Sequence, residues 1–193
     1  MSLTKIKVLS VKQPHADDIV FGAKFCENRT WPVDAKTELV KRPNVGPDEW
    51  LYIHASSWDG GKVETDGEGL CGAIIGRCKV FDVIHVDDLD ALSCVPDGED
   101  MIPADALASL ELEITDEENR EFVAKYRHVR DYLKREQISV SQFDAFVHGD
   151  VCWLLSDRQP IHPILNVKGK LNLWKYDIDE SEIVVATSST PID

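Results

Sequence analysis

Read for its hydrophobic positions, the chain begins with a strand. Lys5-Ile6-Lys7-Val8-Leu9-Ser10-Val11 is β-branched and alternates polar with apolar, the period of two that a half-buried strand requires. Pro14 then suits the first turn of a short helix over roughly 14–21, which Gly22 can end. Phe25 to Trp31 returns to strand spacing and stops at Pro32, which cannot donate to a sheet ladder. Residues 34–48, with Pro32, Pro43 and Pro47 nearby, predict a loop. Trp50 to Ser56, "WLYIHAS", predicts a strand, and the glycine-punctuated run from Trp58 to Gly69 a connection. Cys71 to Val86 is a long apolar stretch, one strand or two, with Gly72 and Gly76 marking a bend or bulge.

The period then changes. Thr115 and Glu118 have the spacing of a capping box, in which each side chain satisfies a backbone N–H that the first helical turn leaves open. Phe122, Tyr126, Val129 and Leu133 follow at helical spacing along one face and predict core packing. A shorter helix over about 141–148 ends at Gly149. The stretches "DVCWLLSD", "HPILNV" and "LWKYDI" read as closing strands, and the residues after about Glu182 as a loose tail. Many short strands, few long helices and glycines inside strands predict an α+β protein, a small curved β-barrel with flanking helices. Helices do not alternate with strands and no glycine-rich phosphate loop occurs, which argues against a doubly wound sheet.

Composition narrows the class. With 193 residues, 43% of them hydrophobic, the chain suits one domain over 1–182 with a tail over 183–193. No apolar run reaches the ~20 residues of a membrane span, and the N-terminus lacks the regions of a signal peptide. Five cysteines without C-x-x-C spacing predict reduced thiols in a cytoplasmic protein, and no zinc site or cofactor is expected. The net charge of −14 would repel nucleic acid if it were evenly spread. It is not. Between Asp82 and Glu121 stand 14 acidic side chains and one basic one, Arg120, whereas the rest of the chain carries 21 acidic and 20 basic. The acidity therefore belongs to a helical insertion at about 87–148, and the remaining surface is nearly neutral.

That leaves "GAKFCENRTW", residues 22–31, with a lysine, a glutamate and an arginine inside six positions. In a strand Glu27 and Arg29 share one face with Phe25 and Trp31, so a buried face would oblige each charge to find a partner. They can pair with each other as a structural ion pair, or meet a ligand's polar edge. Lys24 sits at the turn made by Gly22 and is either solvated or directed to the same cleft.

Gly22-x-Lys24-x-x-Glu27-x-Arg29 resembles the G-x-K-x-x-E-x-R signature of the ASCH domain family, and "LSVKQPHADDIVFG", "LYIHAS", "GAIIGRC" and "VKGKLNLW" extend the resemblance over roughly residues 5–178. The resemblance implies a PUA-like barrel whose cleft receives RNA or a nucleoside. Glu27 would accept from an exocyclic amine and Arg29 would hold a carbonyl or phosphate. Gln13 and His15 lie in "QPH", where many relatives have tryptophan in place of the histidine; imidazole can also stack. One branch of the family hydrolyses the amide of N4-acetylcytidine with the motif lysine, and carries threonine where this chain has Glu27. Carried over, Lys24 would activate water or polarise the acyl carbonyl, and Glu27 would relay the proton. His54 and Ser56 would line the cleft mouth, Trp31 would stack, and Lys168 and Lys170 would meet phosphate. The bland readings are a hydrogen-bonded histidine, a core tryptophan and a solvated lysine turn. The leading expectation is an RNA- or nucleoside-binding protein. The alternatives are an amidohydrolase acting on acylated cytidine-type nucleosides, and a protein-interaction adaptor working through the acidic insertion.

Overall fold

The computed structural model describes residues 3–29, 43–46, 48–57 and 69–186. In chain order the strands are β1 (Leu3–Lys12), β2 (Cys26–Arg29), β3 (Leu51–Ser56), β4 (Ala73–His85), β5 (Val151–Ile164) and β6 (Leu173–Asp179). The helices are α1 (His15–Val20), α2 (Val86–Ser93), α3 (Ala104–Ser109), α4 (Asp116–Lys125), α5 (Arg127–Arg135) and α6 (Val140–Phe146). The strands form one mixed sheet in the order β2-β5-β4-β3-β1-β6. β1 runs parallel to β3, from Lys7 opposite Leu51 to Lys12 opposite Ser56, and antiparallel to β6.

The fold is α+β, but the sheet is not closed into the predicted barrel. β2 and β6 stand at its two ends, and no ladder joins them among the described residues. Alternation reports that strands exist and which faces they bury. Closure depends on whether the end strands meet, and β2 offers only four residues for such a seam. The predicted bulge is present. Ile53 pairs with Gly76 and His54 with Ile74, so β4 carries one extra residue, Ile75, against β3. Gly76 is required for space, because a Cβ there would lie 2.5 Å from Val20 Cγ1 and 3.0 Å from Gln159 O.

The chain divides into two compact units. The first comprises Met1–Cys26, Arg42–Phe81 and Leu154–Asp193. Its core is Ile6, Val8, Tyr52, Ile74, Ile161, Ile164, Val167, Trp174 and Ile178, with Trp50, Tyr176 and Ile183 packed against it. Ile6 and Val8 are the inward half of the alternation that predicts β1. The two stretches "DVCWLLSD" and "HPILNV" belong largely to one strand, β5, interrupted at Asp157, whose φ is +50°. The segment expected to be loose begins with residues held on β5: Val184 O accepts from His162 N–H, and Ala186 N–H donates to Pro160 O. The rest of that tail, and most of the loop predicted over 34–48, lie outside the described residues.

The second unit comprises Glu27–Lys41 and Asp82–Trp153. Its helical part is organised around Ala91, Val95, Ile102 and Val123. Asn119, buried to 1% exposure, clamps Ile102 at both backbone groups: Oδ1 accepts from its N–H and Nδ2 donates to its carbonyl, each at 2.9 Å. The capping box at Thr115 and Glu118 is formed. The helix it starts is not continuous, however. It breaks at Tyr126 (φ −100°, ψ 19°), whose hydroxyl donates to Asp88 Oδ2 at 2.8 Å. Burial, and secondly the Asp88 carboxylate, push the ionisation of that hydroxyl above its ordinary range. The buried positions of α4 and α5 are accordingly Asn119, Val123, Val129 and Tyr132, of which the predicted face includes only Val129.

Candidate functional site

The motif begins where α1 stops. Phe21 N–H and Gly22 N–H both donate to Asp17 O, and Lys24 N–H donates to Asp18 O at 3.1 Å. A Cβ on Gly22 would stand 3.0 Å from both Asp18 Cα and Asp18 O, so a larger residue would press the chain away from the helix end. Phe25 O accepts from Leu155 N–H at 2.9 Å, which ties the turn to β5. Lys24 is 3% exposed, a degree of burial seldom found for lysine.

On β2 the strand spacing takes effect. Arg29 Nη2 lies 2.9 Å from Glu27 Oε1, and the two side chains are 22% and 9% exposed. The pair is thus a charge-assisted contact largely withdrawn from water. Such a contact is costly to desolvate, and it holds a carboxylate and a guanidinium in fixed orientation. Asn28, between them, does structural work that its sequence position does not signal. Its Nδ2 donates to Phe146 O at 2.6 Å and its Oδ1 accepts from His148 N–H, so it ties β2 to the end of α6. Trp31 lies outside the described residues.

The remaining candidates divide between committed and exposed groups. Gln13 caps α1: Asp17 N–H donates to its Oε1 at 3.2 Å, while its Nε2 donates to Asp17 Oδ1 and Leu70 O. His15 opens α1 half-exposed, its Nδ1 3.8 Å from Asp18 Oδ2. Ser56 Oγ donates to Val11 O at 3.1 Å. Lys168 and Lys170 are exposed, and the Lys170 ammonium lies 5.5 Å from the Trp174 ring centre.

His54 is the most constrained. It is 2% exposed, and its Nε2 lies 2.9 Å from Val167 O. A carbonyl can only accept, so Nε2 carries the proton. Nδ1 then accepts from Ser10 Oγ at 3.3 Å, and Ser10 Oγ accepts from Trp174 Nε1–H at 3.2 Å. The ring is neutral: burial pushes its pKa below the ordinary histidine value of 6.5, with the Val167 carbonyl opposing. The stretches "LYIHAS" and "VKGKLNLW" therefore meet at this imidazole. Gly169 passes so close that a Cβ there would lie 2.5 Å from His54 Cε1 and 3.1 Å from Ser10 Oγ.

Among the described residues no group of three or more His, Cys, Asp or Glu side chains is placed to hold a metal ion. None of their helices is long and apolar enough to cross a membrane.

These elements define the class: an α+β fold whose helices accompany a six-stranded mixed sheet. No protein-family model matches the chain, and no curated protein matches it. Among solved structures, the chain is similar to the crystal structure of ASCH from Zymomonas mobilis, at 16% identity and a TM-score of 0.39, over 91% of this chain and 89% of that one. A point mutant of the same Zymomonas mobilis protein, ZmASCH, matches at 17% identity and a TM-score of 0.40, over 93% and 94% of the two chains.

Proposed function

We propose that this protein is an ASCH-type binder of a nucleobase-containing ligand, RNA or a nucleoside, and that Glu27 and Arg29 read the base. The observation that carries this reading is the buried pair at 2.9 Å on a four-residue strand. A carboxylate presents two acceptor oxygens and a guanidinium a fork of donors, the complement of a base edge that offers both an amine and a carbonyl. The resemblance of the surrounding motif to the ASCH signature points the same way.

The test is calorimetric titration with cytidine, N4-acetylcytidine and a short single-stranded RNA. Glu27→Gln keeps the shape of the side chain and removes its charge. It is expected to weaken binding by about ten- to a hundredfold, the size of one lost charge-assisted hydrogen bond. Wild-type protein that binds none of the three probes, or a Glu27→Gln variant that binds them unchanged, returns Glu27–Arg29 to a structural ion pair.

The near-complete burial of Lys24 favours a second reading, hydrolysis of the acyl amide. Release of cytidine from N4-acetylcytidine, followed by chromatography, decides it. In the enzyme reading Lys24→Ala lowers the rate by about 10²–10⁴-fold. In the binding reading the wild type releases none.

A further inference from the structure

We propose that Arg158, which lies outside the signature, is the positioning residue for Lys24. This rests on the reading of the motif as ligand-directed. Arg158 follows Asp157, the residue at φ +50° that interrupts β5. Aspartate tolerates the left-handed conformation better than most residues, and one such residue in a strand re-aims the side chain after it. Arg158 Nη1 donates to Lys24 O at 2.9 Å and to Gly22 O at 3.3 Å, bridging the carbonyls on either side of Ala23.

The turn is thereby held from both of its polar sides. Its N–H groups at Gly22 and Lys24 are taken by α1, through Asp17 O and Asp18 O. Its carbonyls at Gly22 and Lys24 are taken by one partly buried cation. Lysine is a flexible side chain whose reach is set by where its Cα is fixed. Arg158 fixes the carbonyl bonded to that Cα, and so determines where the Lys24 ammonium emerges. A guanidinium suits this role because its planar fork keeps its orientation, whereas an ammonium is a rotating point donor.

The experiment uses the full chain as wild type, Arg158→Ala, Arg158→Lys, Lys24→Ala and the Arg158→Ala/Lys24→Ala double variant. Each lysine's rate of acetylation by a water-soluble acetylating reagent is read by mass spectrometry, well below the unfolding midpoint of every variant. Lys24 is 3% exposed and is expected to react slowly in the wild type. Arg158→Ala is expected to speed its labelling by about ten- to a hundredfold relative to Lys168, with Arg158→Lys in between. If Arg158→Ala does not fold, Arg158→Gln, which keeps an N–H donor, takes its place with the same expected direction. In parallel, N4-acetylcytidine and the short RNA are titrated. Arg158→Ala weakens binding about tenfold in the wild-type background and has no effect once Lys24 is alanine, a non-additivity that general destabilisation does not produce. Unchanged Lys24 labelling overturns the proposal, and so do additive effects on affinity. If the wild type binds neither probe, the binding reading fails and the labelling rates alone judge Arg158.

Discussion

Replacing Gly169 by alanine tests the His54 network through a single methyl group. The new Cβ would stand 2.5 Å from His54 Cε1, 2.9 Å from its Nδ1 and 3.1 Å from Ser10 Oγ, all closer than packed carbon atoms tolerate. The ring has little room to yield. Its Nε2 is bonded to Val167 O, and the ring packs edge-to-face on Trp174 with centroids 5.9 Å apart. If the network stays and the backbone shifts, the cost is that of overpacking, about 1–3 kcal/mol. If His54 swings away instead, the Val167 and Ser10 bonds are lost, and a buried group left unsatisfied costs about 1–3 kcal/mol. Either route predicts a loss of about 1–3 kcal/mol. Urea unfolding followed by fluorescence of the five tryptophans measures it from the shift in midpoint. In a His54→Ala background the methyl enters the space the ring has left, and Gly169→Ala should then cost less than about 0.5 kcal/mol. Equal costs in the two backgrounds would refute the reasoning, as would a cost below about 0.5 kcal/mol in the wild type.

Because burial holds His54 neutral in the folded chain, its contribution to stability is complete above pH 6.5, the ordinary histidine value, and declines as the pH falls through that value toward its lower folded pKa. Chemical denaturation at a series of pH values shows the decline, and His54→Gln should flatten it. Glu49 is held below the ordinary carboxylate value by the Gly46 N–H and then by Lys7, so its contribution is lost only as the pH drops below 4.5. Asn119→Ala leaves both backbone groups of Ile102 without their side-chain partners and is expected to cost about 2–4 kcal/mol, with faster hydrogen exchange at the Ile102 amide. Gly76→Ala forces its Cβ onto Val20 and should cost about 1–3 kcal/mol, of which Val20→Ala restores part.

The features of this fold that are visible in the sequence are those whose cause lies within a few residues. β1 announces itself by composition and alternation and β3 by composition, the bulge in β4 by Gly76, and the start of α4 by Thr115 and Glu118, three residues apart. What remains hidden has a distant cause. The helix breaks at Tyr126, whose hydroxyl is bonded to Asp88, 38 residues earlier. Phe122, Tyr126, Val129 and Leu133 suit an unbroken helix, so the pattern gives no sign of the interruption. β5 reads as two pieces because the polar run from Ser156 to Gln159 and then Pro160 part its apolar ends, although the strand continues through Asp157 at φ +50°. Whether the sheet closes is more remote still, since it is decided between the four residues of β2 and the seven of β6, far apart in the chain.

The same distinction runs through the site. Glu27 and Arg29 are two residues apart, and their pairing follows from strand geometry alone. His54 offers no such shortcut. Its two hydrogen bonds come from Ser10 and from the carbonyl of Val167, 44 and 113 residues away, and it is these that turn a candidate ligand contact into a satisfied neutral ring. Arg158 is harder again, standing 134 residues from the lysine whose carbonyl it holds. Every residue has a carbonyl, so a bond to one leaves no mark on the identity of the acceptor. The donor betrays itself no better, because an arginine in a strand beside Asp157 reads as a surface charge. A signature such as G-x-K-x-x-E-x-R therefore names side chains and omits the groups that hold their backbone. Those groups emerge only by asking where each N–H and C=O of the turn is bonded, and at Gly22 and Lys24 that question leads to α1 and to Arg158.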